Sequence, residues 1–242
     1  SISTVTHELR TPLTSVRALA EIIHSNPDLD MVRHSKFSKI IITESERLSI
    51  LINYVLNFQK IKTGKIQWEF LKTDIGEIIE DSVFSISQLL EDRHIDLKLN
   101  LPNERMYAFV DRARFMQVMI NLISNAVKFC DTDQGIITIG MTRKSDTIKV
   151  FVKDNGIGIS RDNQEIIFEE FRQIKDPSRG RPFGTGVGLT ITRHIIDAHC
   201  GKVWVESDLG QGASFIFTLP VNPVSDPLNT RQMKDHRVKD LS

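Results

Sequence analysis

The residues best suited to chemistry fall into a few short stretches. The first is Thr6-His7-Glu8-Leu9-Arg10-Thr11-Pro12, near the start of the chain. His7 lies two residues from both Val5 and Leu9, about 200° around a helix from each, so it faces away from the apolar stripe they belong to. It is expected to be exposed. Glu8 is placed to orient or deprotonate the imidazole, Thr11 falls one turn later on the same side, and Pro12 disturbs the helix there. A lone histidine on a polar helix face often does nothing; these neighbours raise it above that.

Four more stretches lie in the second half. Asn121, Asn125 and Lys128 recur at i, i+4 and i+7 on a cylinder otherwise made by Phe115, Val118, Met119, Leu122 and Ala126. Two amides beside a lysine suit a metal's oxygen shell and phosphates, although a solvated face reads the same way. Asp154-Asn155-Gly156-Ile157-Gly158 follows a strand. A carboxylate at a strand end, with glycines that admit a backbone or ring, can hold a heterocycle or be only a turn. Gly184-Thr185-Gly186-Val187-Gly188-Leu189 opens a helix, where free N–H groups and the positive dipole end face a phosphate. Its late position disfavours a dinucleotide fold, and GxxxxGK[ST] does not occur. Between these lie Ile167-Phe168-Glu169-Glu170-Phe171-Arg172 and residues 173–183, a loop rich in Lys, Arg, Gly and Pro that suits a lid or a loose insertion.

The elements that must position these groups divide in two. Ile2, Val5, Leu9, Leu13, Val16, Ala20 and Ile23 form one helical stripe to about Ser25, and Asn26, Pro27 and Asp28 stop it. A second stripe (Phe37, Ile40, Ile41, Leu48, Leu51, Ile52, Val55, Leu56) fills about 35–62. Two helices cannot bury both stripes against each other, so the hairpin is expected to pair with a second copy as a four-helix bundle, through Leu13, Val16 and Leu51. Beyond residue 66 short strands at 96–101, 136–141, 147–153, 202–206 and 214–219 are separated by helices at about 75–93, 112–130 and 186–199. The first, third and last strands alternate in period two, which implies a two-layer α/β sandwich with a sheet covered on one face. Residues 222–242 read as a mobile tail.

Composition agrees with a folded, soluble core. The 242 residues are 40% hydrophobic and 26% charged, against a disordered or collagenous chain. Lys plus Arg and Asp plus Glu both number 31, which argues against broad binding to nucleic acid or anionic membrane. Cys130 and Cys200 have no metal-ligand spacing and read as buried thiols of a reducing compartment. There is no apolar run of about 18 residues. The abrupt start inside a helix suggests an excised fragment of a cytoplasmic region, with any inner-membrane anchor or sensor upstream.

HELRTPL, NLISNAVKF, DNGIGI, IFEEF and GTGVGLTI, in this order and with these gaps, resemble the phosphoacceptor, N, G1, F and G2 boxes of bacterial two-component sensor histidine kinases. The resemblance covers roughly residues 1–220. It implies an α+β chain: a dimerisation and histidine-phosphotransfer hairpin (1–66), an ATP-binding domain of the Hsp90, MutL and gyrase B type with a mixed sheet (67–221), and a tail (222–242). Carried over by motif, His7 resembles the phosphoacceptor, Glu8 its acid/base partner, and Thr11 the residue that positions water for phosphatase activity. Asn125 resembles the magnesium ligand, with Asn121 and Lys128 near the phosphates of ATP, and Asp154 the adenine-binding aspartate. Gly156, Gly158, Gly184, Gly186, Gly188 and Leu189, with Phe171 and Arg172 of the lid, resemble the shell of the nucleotide site. Thr6, Val187 and Thr190 depart from the commoner residues of these boxes and bear on lid packing and rate.

The expected reaction is autophosphorylation of His7 from ATP with Mg²⁺, then transfer to an aspartate of a response-regulator receiver domain, with phosphatase activity toward that regulator. The expected partners are a second copy and the receiver domain, with no nucleic acid and no membrane contact within this stretch. Two other readings stand beside it. One is a nucleotide-gated binding module without phosphoryl transfer. The other is a chaperone-type or mismatch-repair-type ATPase, weakened because Asn121 stands where those relatives carry a hydrolytic glutamate.

Overall fold

The computed structural model describes residues 2–63, 66–169 and 188–222. By contacts the chain divides into Ser1–Gln67 with Ile167–Ile191, and Trp68–Ile166 with Thr192–Ser242. The expected tail (222–242) and lid (173–183) fall outside the described residues, apart from Asn222.

The first unit is led by a helical hairpin, α1 (Ile2–Ser25) and α2 (Met31–Lys62). Pro12 inside α1 has no N–H for the carbonyl four residues back. Asn26 closes α1, its side-chain amide donating to the Ile22 carbonyl at 2.7 Å. Asp30 then caps α2, accepting from the Arg33 N–H at 2.9 Å. This cap is why α2 starts at Met31, four residues ahead of the hydrophobic periodicity. Leu51 is 1% exposed within the single chain, packed against Leu9, Val55 and Ile191. That corrects the expected bundle seam: Leu51 is covered within its own unit, Val16 is half-buried, and Leu13 is 55% exposed. Ile42, Ile52 and Leu56 also remain exposed on α2.

The second unit begins with β1 (Phe70–Asp74), α3 (Ile75–Ser85), α4 (Ser87–Asp92), β2 (Asp96–Asn100), β3 (Tyr107–Asp111) and α5 (Arg112–Phe129). In chain order there follow β4 (Ile136–Lys144), β5 (Thr147–Asp154), α6 (Arg161–Gln164), a 3₁₀ turn (Ile166–Phe168), α7 (Gly188–Ala198), β6 (Lys202–Ser207) and β7 (Ala213–Pro220), of which Ile167, Phe168 and the first four residues of α7 belong by contacts to the first unit. The main sheet has order β2-β4-β5-β7-β6, with β2 parallel to β4 and the other pairs antiparallel. Its inner face (Ile137 and Ile139, Val150 and Val152, Phe215 and Phe217) and the apolar side of α5 (Phe115, Val118, Met119, Leu122, Ile123) are buried as one core. Phe115 and Phe217 meet edge to face, centroids 5.5 Å apart.

Two expectations change here. The single helix at 75–93 breaks at Ile86, where the hydroxyls of Ser82 and Ser85 donate to the Ile78 and Ser82 carbonyls (both 2.7 Å) and compete with the helix's own bonds. A second, two-stranded sheet of β1 and β3 was not expected. Each of its strands is five residues long and ends in an aspartate, Asp74 or Asp111, that caps the next helix.

His199, just beyond α7, ties this corner together. Its Nδ1 lies 2.7 Å from the Ile195 carbonyl and its Nε2 accepts the Asp111 N–H at 3.0 Å, while Trp68 and Phe70 pack edge-on around the ring. One tautomer, N–H at Nδ1, satisfies both bonds. Cys130 is buried as expected; Cys200 is exposed, against expectation. It sits at φ 58° in the left-handed turn that caps α7, its N–H bonded to the Asp197 carbonyl, and such a position points outward.

Candidate functional site

Two sets of predicted residues take shape, one in each unit. In the hairpin, His7 is exposed on α1, away from the buried side. The Thr11 hydroxyl donates to the His7 carbonyl at 3.2 Å, which engages its proton and leaves its oxygen able to accept. The Glu8 side chain lies outside the described residues.

In the second unit Asp154 ends β5, next to the outer end of α5. It is 3% exposed, and its carboxylate accepts the Gly156 N–H at 2.8 Å and the Ala213 N–H. Burial outweighs these two bonds and pushes the carboxyl above the ordinary aspartate range. The glycines have a reason of their own. A Cβ at Gly156 would collide with the Phe129 carbonyl, and Gly158, at φ 72°, lies against the Asp208 carbonyl, so both are required by the chain's own backbone. Asn155 is structural: its side chain accepts the Ile136 and Asp131 N–H groups and donates to the Gln134 carbonyl (2.9, 3.3 and 2.7 Å).

On α5, Asn121, Asn125 and Lys128 are all half-buried. Burial pushes the Lys128 ammonium below the usual lysine range, a desolvated cation that an anion would favour. Cys130 follows at the helix end, its thiol pushed up by burial and by the Asp154 carboxylate. Among the described residues no group of three His, Cys, Asp or Glu could hold a metal. The oxygen donors of the stripe itself are the amides of Asn121 and Asn125, which suits an ion that takes one protein oxygen and the rest from phosphate and water.

Gly188 and Leu189 begin α7, and the buried Thr190 hydroxyl donates to the Phe168 carbonyl at 3.3 Å. Phe171, Arg172, Gly184 and Gly186 lie outside the described residues. The residues that sequence reasoning missed are on the β6–β7 turn. Only Gly210-Gln211-Gly212 marked it, and a glycine pair in a hairpin turn carries no sign of which loop it will touch.

A surface histidine on a helical hairpin, followed by an α/β sandwich with a buried aspartate and an amide-lysine stripe, defines a phosphoacceptor module joined to an ATPase-type domain. The family models agree: residues 1–64 match the His Kinase A (phospho-acceptor) domain and 110–223 the histidine kinase-, DNA gyrase B- and HSP90-like ATPase. The adaptive-response sensory kinase SasA of Prochlorococcus marinus (strain MIT 9215) is 33% identical over 222 residues, 90% of this chain and 57% of its own length. The chain thus spans little more than half of this relative. The catalytic domain of histidine kinase ThkA is 33% identical with a TM-score of 0.57, over 64% of this chain and 97% of that one. ThkA in complex with the response regulator protein TrrA is 29% identical with a TM-score of 0.71, over 93% and 62%. The chain belongs to the two-component sensor histidine kinases.

Proposed function

We propose that this chain is the autokinase core of its parent protein: it transfers the γ-phosphoryl group of ATP to His7 and then to an aspartate of a response-regulator receiver domain. The observation that carries the reading is the pairing of an exposed histidine on α1 with a buried, doubly hydrogen-bonded Asp154 in a separate unit of the same chain. Asp154 accepts the adenine amino group. Asn121 and Lys128 face the phosphates, Asn125 supplies an amide oxygen to Mg²⁺, and Gly184, Gly186, Gly188, Leu189, Phe171 and Arg172 complete the shell. Bound magnesium supplies neutralisation of triphosphate charge. An imidazole nitrogen of His7 attacks the γ-phosphorus in line, a P–N bond forms, the bond to the bridging oxygen breaks, and ADP leaves. The imidazole proton passes to Glu8.

Thr11 holds the water that hydrolyses a regulator's phosphoaspartate. The exposed apolar residues of the hairpin, Leu13, Ile42, Ile52 and Leu56, bury against a second copy. The domains run 1–66, 67–221 and 222–242. The deciding experiment supplies γ-labelled ATP with magnesium. Label should become protein-bound, acid-labile and base-stable, and be absent from His7→Gln. Label retained by that variant would move the phosphoacceptor away from His7, and nucleotide bound with none transferred would return the chain to a binding module.

A further inference from the structure

The β6–β7 turn lies against the Asp154 loop along its whole length, and the bonds between them converge on two side chains. The Ser207 hydroxyl accepts the Ile159 N–H at 2.8 Å and donates to the Gly212 carbonyl at 2.6 Å. Gln164, at the end of α6, uses both hydrogens of its amide, one on the Ile159 carbonyl at 2.9 Å and one on the Ser207 carbonyl at 2.8 Å. Between them the Gly210 N–H donates to the Ile157 carbonyl at 2.7 Å. Gly212 in turn lies against the Asp154 backbone carbonyl, and the next residue, Ala213, gives its N–H to the Asp154 carboxylate. One hydroxyl therefore connects Ile159, on one side of the loop, to the peptide that orients the carboxylate on the other.

This loop is built of Gly156, Ile157 and Gly158, with Ile157 43% exposed, so little side-chain packing holds it. Its shape depends on the hydrogen bonds. We propose that Ser207 and Gln164 are positioning residues for nucleotide selection: they set the aim of the Asp154 carboxylate and so the preference for adenine over guanine. This rests on the reading of Asp154 as the adenine-binding group. Adenine offers its amino hydrogen to that carboxylate, whereas guanine presents a carbonyl oxygen at the same edge. A loop that is merely stable would bind both bases equally; a carboxylate aimed by the turn discriminates.

The test measures affinity for the β,γ-imido analogues of ATP and GTP by calorimetry, together with autophosphorylation kinetics in ATP. Ser207→Ala should weaken the ATP analogue about five- to tenfold, the size of one or two lost hydrogen bonds, and leave the GTP analogue within about twofold of wild type. KM for ATP should rise by a similar factor while the maximal rate stays within about twofold, and Ser207→Thr should restore the preference. Gln164→Leu should narrow the preference in the same direction, and it decides the matter alone if Ser207→Ala fails to fold. Equal weakening of both analogues, or no change, overturns the positioning role and leaves the adenine reading standing. A wild type without preference for ATP over GTP removes the adenine reading itself, and the proposal with it.

Discussion

Asp154 is an acid held out of water, and two backbone N–H groups do not offset its burial. Its carboxyl is therefore raised above the ordinary aspartate range, and an adenine amino group, which bonds the charged form, must draw it back down. Nucleotide binding should release a proton in the window between the bound and free values, and affinity should fall as pH falls through the raised carboxyl pKa. Calorimetry in buffers of different ionisation enthalpy measures that proton, and Asp154→Asn should abolish the linkage. At Thr11 the bond to the His7 carbonyl engages the hydroxyl proton and leaves the oxygen able to accept. Thr11→Ala should keep autophosphorylation within a few-fold and slow dephosphorylation of the regulator more than about tenfold, some 1.4 kcal/mol of barrier. Equal losses in both directions, measured with a receiver domain that accepts phosphoryl from His7, would return Thr11 to shaping the helix before Pro12.

Among the elements, α1 and α2 contribute two different kinds of apolar position, and charge substitutions should separate them. Leu51 is buried within one chain, so Leu51→Glu should lose helicity and stability together, because an unpaired charge in that contact is costly. Leu56, at 56% exposure, should tolerate Glu within a chain yet yield monomers, with helicity retained; light scattering and circular dichroism distinguish the two. The corner of β1, β3, α5 and α7 carries a pH dependence of its own. The buried His199 accepts the Asp111 N–H at Nε2, and burial depresses its pKa below the usual histidine value of about 6.5. A base depressed in the folded state stabilises fully above the unfolded value. That contribution is lost as pH falls from about 6.5 through the folded value. His199→Leu should lose about 1 to 3 kcal/mol at pH 7.5, by taking the imidazole acceptor from the Asp111 N–H, and the difference from wild type should shrink toward pH 5.5 in denaturant titrations.

For the whole molecule, the separation of His7 from Asp154 into two units predicts that His7→Gln abolishes label incorporation and leaves ATP affinity within a few-fold, which calorimetry on the unlabelled protein checks. Much of this organisation is written locally. The three- and four-residue spacing of α1, the polar stripe of Asn121, Asn125 and Lys128, and the carboxylate-glycine run at Asp154 are contiguous or periodic, so helix geometry and strand ends place them without knowledge of the rest. The α2 start was legible too, in Asp30, by the capping rule rather than by hydrophobic period. Other features were not. On β1 the neighbours Leu71 and Lys72 are both exposed and no residue is fully buried, and on β3 the outward positions are Tyr107 and Phe109, so neither strand shows the period-two pattern of apolar against polar. Whether Leu51 faces its own chain or a second copy depends on how two helices roll against each other and on where Ile191 is brought, and an apolar stripe encodes neither. The same holds for Ser207 and Gln164: a serine and a glutamine 43 residues apart have no mutual signal in the chain. By itself the sequence determined the class of chemistry, through residue types at short spacing. Only the tertiary structure decided which backbone aims the carboxylate, because hydrogen bonds between distant loops exist only after the sheet has brought them together.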